Sequence, residues 1–123
     1  MPIWKKLYGI IWLIFFAFLL VLLKSLPLYA SIHAVVGVLI ILVAIHNRKR
    51  IAATGCPVRI KRIAFVMVAM SILALLTGVL LKAPLPYFVM GLIQFLHIAT
   101  AAGLFTQSAS VATSFDMWQE KEF

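Results

Sequence analysis

Four apolar runs limit what this chain can fold into. They lie at about residues 7–23, 28–46, 63–81 and 86–112, and each has roughly the 17–25 residues needed to cross a bilayer. Inside hydrocarbon every backbone N–H and C=O must be paired within the protein, so segments of this length become helices. At 123 residues and 65% hydrophobic, a water-soluble domain could not hide its apolar surface. The expectation is a single all-α transmembrane domain over 1–123, an integral membrane four-helix bundle in contact with the lipid bilayer.

Charge sets the expected orientation. Eleven Lys and Arg oppose three Asp and Glu, and the bases cluster at the ends of the apolar runs. That is a membrane-orientation pattern and not a nucleic-acid footprint, so no nucleic-acid partner is expected. With four spans, both termini share a side with the only long loop, Asn47–Arg62. That side carries nine bases: Lys5, Lys6, Arg48, Lys49, Arg50, Arg59, Lys61, Arg62 and Lys121. The other side carries two, Lys24 and Lys82. The positive-inside rule then puts both termini in the cytoplasm. The first run has basic flanks like a signal peptide, but it is long for one and has a poor cleavage site, so it reads as an uncleaved helix.

Absent residue types exclude some chemistry. Asp116, Glu120 and Glu122 are the only acids, and none lies deep in an apolar run. A cation-coupled transporter or small multidrug exporter keeps a carboxylate there. The single cysteine, Cys56 in TGCPVR, rules out two-thiol redox chemistry within the chain. It reads as a spare thiol or as a group that helps hold a metal or cluster at a partner surface.

The chain has three histidines, His33, His46 and His97, each in or at the rim of a run. A neutral imidazole brings one donor and one acceptor into hydrocarbon, and intramembrane ionisable groups are usually functional. Haem is the common cofactor that takes histidines from facing helices of a bundle. Gly37 lies one turn beyond His33 on the same face and leaves a gap for a porphyrin edge. Gln94, Thr100 and Ala101 make a small, polar surround for His97.

Depth decides which histidines can pair. His33 lies roughly 9 Å, His97 roughly 16 Å and His46 roughly 28 Å from the prolines that precede their helices, at 1.5 Å per residue. His33 and His97 are the closer match. His46 stands thirteen residues after His33, about 140° around an ideal helix, and it abuts Asn47 and Arg48. It is expected as an interfacial residue or as a ligand of a second haem. Helix 3 carries a stripe of small residues, Ala64, Ser71, Ala74 and Gly78, and helix 4 offers Gly91, Ala99, Ala102 and Gly103. Such faces allow close helix packing.

SIHAVVGVLIILVAIHNRKR, LALLTGVLL and QFLHIATAAG together resemble the small four-helix membrane b-type cytochromes. These are similar to the cytochrome b subunits of formate dehydrogenase and nickel–iron hydrogenase. That family commonly sets two helix-2 histidines against two on helix 4, around two stacked haems. Here His33, His46 and His97 match three of the four, and Ser110 and Val111 stand where the fourth is expected.

The resemblance implies haem b iron held by His33 and His97, with His46 as a third candidate metal ligand, and one or two haems. It also implies electron transfer between a quinone and a partner redox protein or larger membrane complex. The chain would be an electron-transfer subunit of an oxidoreductase and not a complete enzyme, in a bacterial or archaeal inner (cytoplasmic) membrane. The alternative is a cofactor-free membrane anchor or assembly subunit. It would hold a partner through its small-residue faces and basic loop.

Overall fold

A computed structural model describes residues 2–120. Lys121 and Glu122, counted in the charge reading, lie outside the described residues. The described chain forms four helices: α1 (Ile3–Val21), α2 (Tyr29–Ala52), α3 (Val58–Leu80) and α4 (Tyr87–Gln119). No strand occurs among the described residues. All four helices are long and apolar enough to cross a membrane. Trp12, Phe15, Phe65, Leu76, Phe88 and Phe95 point outward. That much exposed apolar surface suits lipid and would aggregate in water.

Proline starts three of the helices. Pro2, Pro57 and Pro86 occupy the N-cap positions of α1, α3 and α4 with extended backbones. Proline lacks the N–H that would be unpaired at a helix start, and it resists continuing a helix backwards. Pro27, expected to open α2, sits two residues earlier than the helix itself, whose N-cap is Leu28. α1 tightens as it ends: Leu22 and Leu23 N–H donate to the carbonyls three residues back, Leu19 and Leu20, at 3.0 Å.

The long loop expected at Asn47–Arg62 is a correction. α2 runs on to Ala52 and α3 begins at Val58, so residues 53–57 alone connect them. Lys, Arg and Ala are good helix formers. Asn47 and Ile51 extend the face of Ala44 at three- and four-residue steps, and all three are buried. The turn is fastened by Thr54 Oγ1, which donates to Ile51 O at 2.6 Å. Cys56 faces inward and is buried, with its Sγ directed at Ile51 O. It therefore presents no thiol to a partner.

Helices consecutive in the chain pack together, and α1 closes the ring against α4. The diagonal pairs, α1 with α3 and α2 with α4, do not pack together among the described residues. This is an up-down-up-down bundle. Its two ends differ. At the end that holds the N-terminus and the α2–α3 turn, Leu7, Ile10, Ile51, Met67, Val111 and Phe115 are almost completely buried. α4 has 33 residues, roughly 50 Å, so its last turns extend this packed end beyond the expected boundary at Ala112. Tyr8 hydroxyl reaches Asp116 Oδ2 there at 3.4 Å.

Asn47 gives one test of this packing. It is 2% exposed. Its Nδ2 donates weakly to Lys6 O at 3.4 Å, and its Oδ1 is buried with no hydrogen-bond partner. An unpaired buried acceptor costs about 1–3 kcal/mol. Asn47→Leu is expected to hold or raise the melting temperature, followed by tryptophan fluorescence. A marked fall would contradict this account of the core.

Candidate functional site

The other half of the bundle opens into a cavity of about 590 Å³. Ile14, Ile40, Ser71 and Leu104, one from each helix, line its inner end and are buried. They separate it from the packed half. Ala17, Ala34, Gly37, Ala74, Gly78 and Ala101 line its sides. Small side chains keep the helices from filling the space between them.

His33 of α2 and His97 of α4 both line this cavity. They come from diagonal helices that do not pack together. Their ring centroids nevertheless stand 6.3 Å apart, with planes at 60°. The depth comparison made from sequence thus leads to two residues that the structure brings together. Gly37 and Gln94 line the same cavity.

The surroundings of His97 fix the tautomer of its neutral ring. Nδ1 lies 2.9 Å from Ala74 O and 3.0 Å from Thr77 Oγ1. A carbonyl oxygen only accepts, so Nδ1 carries the proton and donates it. Thr77 Oγ1 in turn donates to carbonyls of its own helix, Leu73 O at 2.9 Å or Ala74 O at 3.0 Å. Its oxygen remains free to accept from Nδ1. The lone pair of a neutral imidazole then resides on Nε2, the arrangement a metal-bound histidine requires.

Gly78 seats the same ring. A Cβ at this position would stand 3.1 Å from His97 Cε1 and 3.5 Å from Nδ1. The orienting groups therefore come from α3. Thr100, expected to help orient His97, is buried and is not among the cavity-lining residues. Thr77 was not singled out from sequence. Its one signal there is a hydroxyl within an otherwise apolar stretch beside Gly78.

His33 has no such acceptor. Its Nδ1 is buried without a hydrogen bond, beside the backbone of Ala17. Tyr29 packs near its ring, with centroids 5.6 Å apart.

His46 is not brought to this pair. It is exposed on the α1–α2 seam, where Lys6 Nζ donates to its Nε2 at 2.7 Å. Val111, where a fourth histidine was expected, is fully buried in the packed end. Apolar side chains fill the half that would hold a second haem.

No protein-family model matches the chain, and no curated protein or solved structure matches it. The cavity must be interpreted from its own chemistry. Among the described residues no group of three or more His, Cys, Asp or Glu could hold a metal ion. Two imidazoles this close suit a metal whose remaining ligands come from a macrocycle, as in haem. Metal–imidazole bonds of about 2 Å on opposite sides of one ion put ring centroids roughly 6 Å apart. The spacing of the two rings, the free Nε2 of His97 and the small residues among the cavity walls fit such a group; the Nδ1 of His33 lacks the acceptor that holds Nδ1 of His97. The cavity volume lies within the roughly 300–1,000 Å³ of ordinary ligand sites.

Proposed function

We propose that this cavity binds one haem b, with His33 and His97 as axial ligands. The protein then serves as a membrane electron-transfer subunit between a quinone and a partner redox protein. The observation that carries this reading is the approach of two histidine rings to 6.3 Å, from helices that do not pack together, in a cavity that glycines and alanines help to keep open. When bound, haem supplies one-electron redox chemistry, with a potential set by its axial ligands and surroundings.

The chain's own residues do the rest. Ala74 O and Thr77 hold the His97 proton on Nδ1, which raises the basicity of Nε2. Gly78 leaves room for the ring. The floor residues and the outward leucines and phenylalanines exclude water and lower the local dielectric. Lys82 lines the cavity and offers a cation to the cofactor's carboxylates.

On this reading the basic end and both termini face the cytoplasm, in a bacterial or archaeal inner membrane. The anchor reading relied on small-residue faces for holding a partner. Of those residues, Ala74 and Gly78 face the cavity, and a Cβ at Gly91 would meet nothing.

His46→Ala is expected to leave the visible spectrum and haem content unchanged, because His46 lies away from the cavity. A loss of the haem band would return it to the ligand set. The relay function is tested by adding a reduced quinone to haem-loaded protein. Appearance of the reduced haem spectrum is expected. Haem that loads but is reduced by dithionite and by no quinol would exclude the quinone step.

A further inference from the structure

A second opening lies on the outer α1–α2 seam at the basic end. It is an open groove of about 580 Å³. Lys5, Lys6 and His46 form its charged part, and no acid lines it among the described residues. Lys49 and Arg50 follow His46 by one helical turn on the same face. Gly9 and Leu13 of α1 and Leu42 and Val43 of α2 form its apolar part. Lys5 to Leu13 spans roughly 12 Å along the helix. The groove thus runs from the charged end into the apolar band.

The polar end is suited to a phosphate. Lys6 gives one N–H to His46 Nε2 and keeps two more for a ligand. With Nε2 accepting, neutral His46 carries its proton on Nδ1, a further donor. Two basic groups in direct contact, with no carboxylate among the described residues that line the groove, favour an anion. The apolar walls favour an occupant that brings hydrocarbon along with that anion.

We propose that this groove binds one anionic phospholipid. Its phosphate is held by Lys5, Lys6 and His46, and an acyl chain lies over Gly9 between Leu13, Leu42 and Val43. Basic groups at the membrane surface attract anionic headgroups, and here they stand above a preformed apolar channel. The proposal is independent of the haem reading.

Gly9 provides a clean test, because a Cβ there would meet nothing within 4 Å. Gly9→Phe starts from a Cβ in open space, places a ring in the groove and leaves every charge in place. The full-length protein in detergent is mixed with equal phosphatidylglycerol and phosphatidylcholine of identical chains. Native mass spectrometry then reads the lipid retained.

One phosphatidylglycerol per chain is expected to survive activation that strips phosphatidylcholine. Its retention should fall roughly fivefold or more in Lys6→Ala, from the loss of one basic contact, and similarly in Gly9→Phe. Lys24→Ala, in the opposite turn, should retain it. Equal retention of both lipids would overturn the proposal. So would unchanged retention in Gly9→Phe, which would mean surface charge alone. Complete displacement by inorganic phosphate would also overturn it, because the site would then take the anion without the chain.

Discussion

Replacing His97 by alanine is expected to abolish haem binding while the protein still inserts and purifies. The same is expected of His33→Ala. Each imidazole would supply one of only two bonds from the chain to the iron. Losing a ligand should cost more than the roughly 10–100-fold drop in metal affinity that follows loss of an outer hydrogen-bond partner. Neither ring belongs to the packed end. His97 meets α3 through Ala74, Thr77 and Gly78, and His33 lines the open half. The fold rests on Leu7, Ile10, Met67, Val111 and Phe115, which these changes leave alone. Haem per chain, measured by absorbance against protein, decides the matter. Wild-type haem content in both variants would refute the ligand assignment.

Gly78→Val is expected to lower haem content about tenfold, comparable to loss of a ligand's outer support, without touching a ligand. The first added carbon would already stand 3.1 Å from the His97 ring, tighter than ordinary contact. The two further methyls of valine would push the imidazole off Ala74 O. Gly78→Ala asks for a shift of only a few tenths of an ångström and should cost less. Gly91→Val is the matched control on α4, where an added carbon meets open space.

Thr77→Val should act differently again. The ring keeps Ala74 O as its acceptor but loses the hydroxyl. With less electron density held on the ring, the haem midpoint potential is expected to rise in a redox titration. A haem content unaffected by Gly78→Val would mean that the His97 ring is not held as described.

The helices were legible because spanning length and apolar composition leave a membrane chain few alternatives. The pairing of His33 with His97 was legible as well, because rise per residue converts sequence position into depth. The 140° between His33 and His46 likewise separated those two without a structure.

What was not legible depended on register between helices. Nothing in the order of residues says that the Ala74 carbonyl meets an imidazole twenty-three positions later. The α3 stripe read as a packing face, yet it divides. Ala64 and Ser71 are buried, whereas Ala74 and Gly78 open the cavity. Asn47–Ala52 read as loop because it is basic. It stays helical because Asn47 and Ile51 continue the buried face while Arg48 and Lys49 reach outward, Arg48 over the Phe65 ring at 4.9 Å.

The most direct measurement is a reduced-minus-oxidised visible spectrum of the purified protein from haem-supplied cells, with haem counted per chain. One haem per chain, with a Soret band that shifts on reduction, is the predicted result. No haem would contradict the proposed function and leave His33 and His97 as packing residues. Two would contradict the account of the filled half of the bundle.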